Sequence, residues 1–447
     1  RLLLMYWLLG ITLIGFSAQV LGSGLLAFSA YLMALILISS RMLAWHWASG
    51  LRIERKMRCT LAEVGDKVRV KVLVRYLGLI PIPWVILEDL LPEDAVNPRH
   101  PFLKLKGKRL KVLSMFSMQT EEFSYSLECM HRGFFQIGPV FAETGDPFGF
   151  MRRYRIGCQP FYLLVLPKIT HLLGYDLTSR RPIGEIQMVM KIFEDPTRIA
   201  GVRDYEPGDP MSRIHWKASA RTGVFQCKIF EPTCLAGAMI LLDFHESNFP
   251  PRGEPFRSEL AIDAAVALAH AVCLLNQPFG IGTNATDAAF NVQENESEPE
   301  VDTRAEARTF MLDSSRPNHL QPMFLPSRRG VEHLQLLREM MGRALKSDSL
   351  KFSEMIREVS IHLPRDLTLV AVLSGVTEET AMMLGNLKQQ GFAVSVVLIQ
   401  FDDEGLNRAF KKLISNGIRE IRHAIDQESL PQLCRSQIDR TSPLSLV

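Results

Sequence analysis

The residues best suited to chemistry lie close together between positions 203 and 231. This stretch combines cationic, aromatic and imidazole side chains, and its distinctive members are Arg203, Tyr205, Gly208, Asp209, Arg213, His215, Trp216, Lys217 and Arg221. Guanidinium and ammonium groups bind phosphate or carboxylate, and a histidine can act as a general base or a metal ligand. We therefore take this segment as the candidate binding site.

A turn followed by a helix would position these side chains. Pro207, Gly208 and Pro210 predict a rigid turn. Either Asp209 or Ser212 can then cap the helix that the following alanine-rich run favours.

The predicted helix carries a basic face with one aromatic residue. Arg213, Trp216, Lys217 and Arg221 recur at spacings of three and four, so they share roughly one face. This face could bind phosphate, nucleic acid or acidic protein groups, or it could be solvated or paired internally. Affinity for nucleic acid requires a wider basic surface, and the chain has a net charge of only +3. The tryptophan could stack on a ligand or pack at a seam between domains.

The histidine of this segment has a catalytic and a structural interpretation. No second histidine or carboxylate stands at ligand spacing on the predicted helix, whereas a catalytic triad or a metal site needs such partners. The sequence therefore favours a His215 that fixes the turn to its helix. The chain also has neither a Gly-x-Ser-x-Gly elbow nor a Gly-x-x-x-x-Gly-Lys-Ser/Thr phosphate loop. We expect binding rather than catalysis.

The segment resembles the signature of the DUF58 family of bacterial membrane-anchored proteins. That signature reads Arg-x-Tyr-x-x-Gly-Asp and then Arg-x-Ile-His-Trp-Lys-Ala-x-Ala-Arg. The matching residues are Arg203, Tyr205, Gly208, Asp209, Arg213, Ile214, His215, Trp216, Lys217, Ala218, Ala220 and Arg221. The resemblance covers residues 45–245 and implies a von Willebrand factor A-like domain after the signature. It also implies a scaffold or adaptor that works with a MoxR-type AAA+ ATPase in the assembly or maturation of other proteins.

The N-terminal region is apolar enough for a membrane anchor. Residues 2–40 carry no charge, and one helix of that length would measure about 58 Å against a hydrocarbon core of about 30 Å. Two spans fit better, over residues 2–19 and 25–40, with a turn at Gly22-Ser23-Gly24. A signal peptide is the alternative, but its apolar part would be only about 7 to 15 residues. The chain begins with Arg1, which leaves open whether the first span is truncated.

Basic residues follow the second span and predict the orientation of the protein. They are Arg41, Arg52, Arg55, Lys56 and Arg58. By the positive-inside rule they keep the bulk of the chain in the cytoplasm, so we expect a multi-pass protein of the inner (cytoplasmic) membrane. Seven cysteines without a Cys-x-x-Cys pair agree with a reducing compartment.

Two kinds of hydrophobic periodicity follow the anchor. Valines alternate with polar residues over 67–75, and the stretches 84–87, 123–129 and 134–141 are also β-rich, which indicates a small antiparallel β-sandwich. Later, the predicted strands are 238–242, 279–282, 367–373 and 392–399, and the predicted helices are 259–275, 331–345 and 378–390. This alternation predicts a doubly wound α/β domain with a parallel sheet covered on both faces. An acidic stretch over 284–308 predicts a solvated loop.

The α/β region opens with part of a metal-binding pattern. The A-type domains that the resemblance implies hold a divalent cation with Asp-x-Ser-x-Ser after the first strand, helped by a Thr and an Asp from other loops. Here Asp243 and Ser247 match, but His245 replaces the first serine and Ser374 stands where the later Asp would be. A hard cation needs several oxygen ligands, so we expect a degenerate site that binds no metal. Asp243 would then cap backbone donors at a crevice that could bind protein.

These observations give one expected organisation. The domains are a transmembrane hairpin (1–45), a β-rich domain (46–155), the signature segment (156–235), the von Willebrand factor A-like α/β domain (236–430) and a tail (431–447). We expect a scaffold without enzymatic activity or cofactor, with a MoxR-type ATPase as partner, membrane lipid around the hairpin and no nucleic acid. The alternative is a metal-dependent hydrolase that uses Asp243, His245 and His215.

Overall fold

The computed structural model describes most of the chain. The described residues are 2–57, 59–92, 95–96, 100–147, 149, 151–172, 193–205, 211, 214–233, 237–291, 321–348, 350–363 and 367–433. Gly208, Asp209, Ser212 and Arg213 of the signature lie outside these ranges, as do most of the acidic stretch and of the tail. The chain divides into two compact units, Arg1–Leu166 with Asn291–Arg316, and Pro167–Phe290 with Pro317–Val447.

Two apolar helices begin the first unit. Helix α1 covers Leu2–Leu21 and helix α2 covers Gly24–Gly50. They contact each other and are joined at Gly22, whose φ of 59° favours a residue without a side chain. Among the described residues, α2 is the one helix long and apolar enough to cross a membrane, and the apolar stretch Tyr6–Leu21 is shorter. The charge-free N-terminus therefore does form an apolar helix of spanning length.

Helix α2 continues past the expected end at Ser40 because its last turns pack on the strands that follow. The buried Trp47 donates from Nε1 to the carbonyl oxygen of Ile80, at 3.2 Å. The Arg155 guanidinium donates to carbonyl groups of the last helical turn. A packed junction therefore joins the apolar helix to the β strands.

The rest of the first unit consists of short strands. They are β1 (Leu51–Met57), β2 (Leu61–Glu63), β3 (Lys67–Tyr76), β4 (Ile82–Asp89), β5 (Leu103–Gly107), β6 (Leu110–Met115), β7 (Thr120–Cys129), β8 (Gly133–Ile137), β9 (Val140–Gly145), β10 (Arg152–Cys158) and β11 (Phe161–Leu166). Two antiparallel sheets have the orders β1-β3-β7-β5 and β10-β9-β4-β6, and a third has the order β2-β11-β8. Side chains from all three sheets share one hydrophobic core.

For this unit, the strand predicted over residues 67–75 is confirmed, and the single stretch predicted over 134–141 is corrected near residue 138. Strand β3 buries alternate residues, as its valines predict. The stretch over 134–141, by contrast, is two strands separated by Gly138 and Pro139. Proline cannot donate a backbone hydrogen bond, which favours a break in the ladder at that point.

A buried ion pair links the sheets of the first unit. Asp89 accepts from the Arg55 guanidinium at 2.5 and 3.1 Å and from the Tyr125 hydroxyl at 2.7 Å. Both charged side chains are almost fully buried. Arg55 also donates to the carbonyl oxygen of Ile137, at 2.9 Å, so its charge is satisfied from two sheets.

The second unit is a mixed α/β structure. Its strands are β12 (Phe193–Asp204), β13 (Gln226–Thr233), β14 (Ala238–Leu242), β15 (Phe279–Thr283), β16 (Thr286–Asp287), β17 (Met323–Arg328), β18 (Ala344–Leu345), β19 (Thr368–Leu373), β20 (Ala393–Ile399) and β21 (Ile421–Ala424). Its helices are α3 (Trp216–Thr222), α4 (Phe256–Leu274), α5 (Val331–Arg343), α6 (Phe352–Val359), α7 (Glu378–Gln389) and α8 (Asp403–Ser415).

Six of these strands form one sheet in the order β17-β15-β14-β19-β20-β21. All pairs are parallel except β15 with the edge strand β17, so the expected parallel sheet is in fact mixed. Residues of β14 alternate between two cores: Ile240 packs with α4 and α5, and Leu241 packs with α6, α7 and α8. Helices therefore cover both faces of the sheet, as the alternation of strands and helices predicts.

Candidate functional site

The described part of the signature segment consists of two paired strands and a seven-residue helix between them. Strands β12 and β13 pair antiparallel, with Arg203 opposite Cys227. The buried Ile214 forms an isolated bridge with Cys227, which holds Ile214 outside the helix. Helix α3 therefore begins at Trp216, later than a cap at Asp209 or Ser212 would place it.

His215 caps this helix. Its Nδ1 accepts the backbone N–H of Ala218 at 3.0 Å, and its own backbone N–H donates to the carbonyl oxygen of Gln226 at 2.7 Å. The helix ends at Gly223, which has a φ of 74° and donates to Ser219. The imidazole thus fixes the turn to its helix, the structural role that the sequence favours.

The outer surface of the segment is aromatic and cationic. Trp216 is 63% exposed and Phe225 is 54% exposed, and their ring centroids are 6.2 Å apart at nearly a right angle. Tyr205 approaches Phe225 from the other side, also at 6.2 Å. Lys217 and Arg221 are exposed and four residues apart on α3, so they share one helix face. We call the surface of Trp216, Phe225, Lys217 and Arg221 the signature face.

The structure changes the predicted grouping of residues in two ways. Arg213 precedes the helix and lies outside the described residues, so the expected single face reduces to Lys217 and Arg221, with Trp216 turned toward Phe225. Arg203 is half-buried on β12 and donates to the carbonyl oxygen of Asp204 at 3.2 Å.

The exposed Met211, Val224 and Phe225 were not predicted as part of the site. For Val224 and Phe225, the available sequence signal was a pair of apolar residues directly after Gly223.

A second candidate lies at the carboxyl end of the large sheet. The strand order reverses direction between β14 and β19, which is where open α/β sheets form ligand crevices. A cleft of about 580 Å³ opens there. Its lining residues are Asp243, His245, Ser247, Asn248, Lys351, Phe352, Ser353, Val376, Thr377, Glu378, Glu379, Thr380 and Lys412.

The buried Asp243 carboxylate is held by uncharged donors. One of its oxygens accepts from the Asn284 side-chain amide at 3.1 Å and from the His245 backbone N–H at 3.2 Å. The other accepts from the Asn248 side-chain amide at 2.6 Å. Burial raises the pKa of the Asp243 carboxyl, and these hydrogen bonds oppose that shift only in part.

These donors do not suit a hard divalent cation. Both oxygens of Asp243 already accept N–H groups, and His245 places an imidazole nitrogen 2.8 Å from the Ser247 hydroxyl where the A-type pattern has a second hydroxyl. Among the described residues, no three His, Cys, Asp or Glu side chains form a group that could hold a metal ion. His215, Asp243 and His245, which the hydrolase alternative would use together, each already accept hydrogen bonds from other groups of the protein.

Sequence analysis found Asp243, His245 and Ser247 but missed both asparagines. Asn284 follows β15, and its side-chain oxygen accepts the backbone N–H of Phe244 at 2.6 Å. A polar residue directly after a buried parallel strand was the available signal, because the ends of such strands meet at one edge of the sheet.

Comparison with known proteins matches the signature to a family. Residues 201–305 match the family described as protein of unknown function DUF58. The match begins within β12 and includes the signature face and the Asp243 region. The matched residues thus include parts of both candidate sites.

One curated relative extends the comparison. The chain is 27% identical over 208 residues to the uncharacterized protein YeaD of Bacillus subtilis (strain 168), and the match covers 46% of this chain and 51% of that relative. The chain therefore matches about half the length of this relative.

Some solved structures show a weak likeness to part of the chain. The CARDB domain of the PF1109 protein from Pyrococcus furiosus, solved in complex with di-metal ions, is 13% identical, with a TM-score of 0.18 over 26% of this chain and 87% of that chain. The ASH/PapD-like domain of human CEP192 is 12% identical, with a TM-score of 0.17 over 25% and 82%. At these TM-scores the likeness carries no argument.

Proposed function

We propose that the protein is a membrane-anchored protein-binding scaffold or adaptor that acts with a MoxR-type AAA+ ATPase in protein assembly or maturation. The observation that carries the proposal is the signature face, where Trp216, Phe225, Lys217 and Arg221 are all exposed within one short structured segment. Exposed aromatic residues dominate the binding energy of many protein interfaces. Cations beside them add orientation and speed of association.

The support of this face is well fixed, which favours binding over a merely solvated surface. The backbone N–H of Gln226 donates to the Ser219 hydroxyl at 2.9 Å, so the end of the turn is tied back to α3. Tyr205 donates its backbone N–H to the carbonyl oxygen of Phe225 at 2.9 Å. Side chains on a preorganised backbone lose less entropy when a partner binds.

The charge of the face indicates an acidic partner surface. Lys217 and Arg221 form no ion pair with a described residue. A partner carboxylate placed between them would meet two positive charges within one helical turn. Aromatic groups of the same partner segment could pack on Trp216 and Phe225.

The large sheet supports the further proposal that the second unit is von Willebrand factor A-like. A-type domains are doubly wound α/β structures with a functional edge at the carboxyl ends of the strands; this unit has a mixed sheet covered by helices and a cleft at the corresponding edge, which supports the proposal. The helical pair α1 and α2 supports the proposal of two membrane spans in the inner membrane, with the basic residues after α2 on the cytoplasmic side.

Charge reversal on the signature face tests the proposal. Lys217 is the second residue of α3, where a glutamate interacts favourably with the helix dipole, so Lys217→Glu should not destabilise the helix. Arg221→Glu should cost about 0.5 kcal/mol or less. About tenfold less MoxR-type ATPase should co-purify with either full-chain variant from the native host, because each substitution replaces attraction with repulsion.

The matched control is Lys411→Glu, an exposed residue of α8 far along the chain from the signature. Lys411→Glu should have the same unfolding midpoint as the wild type, and the same amount of ATPase should co-purify with it. Normal recovery by both signature variants would remove the docking hypothesis. A large loss of stability in Arg221→Glu would show instead that the arginine pairs internally.

A further inference from the structure

The Asn248 side chain occupies a position at Asp243 that a cation would otherwise take. Its amide nitrogen lies 2.6 Å from one carboxylate oxygen, and both residues line the cleft. The other carboxylate oxygen is turned to Asn284 and to the backbone of His245. A metal ion that reached Asp243 from the cleft would have to displace Asn248.

The surroundings of Asn248 are shaped to hold this side chain. It ends the single 3-10 turn Glu246–Asn248, whose first residue is preceded by the capping His245. A Cβ atom on Gly375 would collide with the side-chain oxygen of Asn248, so the glycine after β19 leaves room for the amide. Two loops of the cleft therefore position the amide against the carboxylate.

Asn284 completes the arrangement from the neighbouring strand. Its amide nitrogen bridges Asp243 and the carbonyl oxygen of Leu350, at 3.1 and 3.0 Å. The end of β14, the end of β15 and the start of α6 are thus tied together through a side-chain amide. An ionised carboxylate can be buried when several donors satisfy it.

We propose that Asn248 replaces a divalent cation at the carboxyl end of this sheet, so that the cleft is ordered and able to bind without metal. The proposal does not depend on the function of the signature face. It predicts that converting the amide to a carboxylate creates a cation site, because the substitution Asn248→Asp would place a second carboxylate against Asp243 at nearly the same volume. Manganese prefers carboxylate and water oxygens, and a pair of carboxylates lining the cleft would offer such ligands.

Metal content tests the cation part of the proposal. The full chain, its Asn248→Asp variant and the control Asn386→Asp are purified in detergent, treated with EDTA, and dialysed against Mn²⁺ at about pH 8, where carboxylates are ionised. Asn386 is exposed on α7 and undergoes the same change of charge. We expect about one additional equivalent of Mn²⁺ in Asn248→Asp, and none in the wild type or the control.

Stability tests the role of the amide itself. Asn248→Ala should lower the unfolding midpoint of the second unit by about 2–6 °C, since a buried carboxylate loses a donor. Added Mn²⁺ should not change the wild-type midpoint. Binding of Mn²⁺ by the wild type, no binding by Asn248→Asp, or an unchanged midpoint in Asn248→Ala would each overturn the proposal.

Discussion

Replacing His215 should loosen helix α3 without unfolding the protein. The imidazole Nδ1 accepts the N–H of Ala218, the third residue of the helix, at 3.0 Å. Such N-cap bonds contribute about 1 kcal/mol, with a range of about 0.5 to 2. A helix of this length is unstable alone, so the loss should appear as local opening of the segment.

The expected size of the effect follows from that energy. A loss of about 1 kcal/mol changes a local equilibrium about fivefold at 25 °C, because RT is about 0.59 kcal/mol. Amide hydrogen exchange should therefore be about fivefold faster for peptides spanning residues 214–226 in His215→Ala. Peptides from β14 should exchange as in the wild type, since that strand is fully buried in the sheet.

His215→Asn separates the structural role from a catalytic one. Asparagine is among the best N-cap residues, so the amides of this variant should exchange nearly as in the wild type, and the proposed ATPase partner should co-purify with it normally. If amide exchange in His215→Asn is near normal but the proposed ATPase partner no longer co-purifies, the imidazole itself is needed. That result would contradict a purely structural role for His215. Unchanged exchange in His215→Ala would refute it as well.

Two further predictions concern the first unit. A reporter fused after Val447 should behave as cytoplasmic, because the two proposed spans would return the chain to the side marked by the basic residues that follow them; a periplasmic signal would contradict the proposed topology. Asp89→Ala should lower the free energy of unfolding by about 3–5 kcal/mol, since it leaves the buried Arg55 without its partner. In thermal or denaturant unfolding, this loss should clearly exceed the loss caused by Tyr125→Phe. Equal losses of unfolding free energy in the two variants would show that the Arg55–Asp89 ion pair adds little to the stability given by the hydrogen bond from Tyr125 to Asp89.

The elements most accurately predicted from the sequence are those buried on both faces. Strand β14 is a continuous apolar run and has the bounds expected, because a central parallel strand admits few polar residues. The edge strand β17 was missed, since its residues are only partly buried and do not alternate clearly. Helix α8 was also missed, although Asp402 caps it and its apolar residues recur at helical spacing.

The functional residues were predictable only where a short-range sequence pattern identifies them. Asp243 was identified because it follows a predicted strand and matches the first residue of the metal-binding pattern that the family resemblance implies. Asn248 and Asn284 acquire their role because separate loops meet at the sheet edge, and asparagine is common in loops. The start of α3 was misplaced for a similar reason, since the bridge from Ile214 to Cys227 joins residues that no local pattern relates.

The two candidate sites differ in how their polar groups are satisfied, and this difference constrains what each can do. At the cleft, the Asp243 carboxylate is buried and already accepts three N–H groups, so a ligand gains little from contacting it directly. On the signature face, Lys217, Arg221 and Trp216 are exposed, so a partner can contact both the two charges and the apolar area of the indole. We therefore assign the larger share of partner affinity to the signature face.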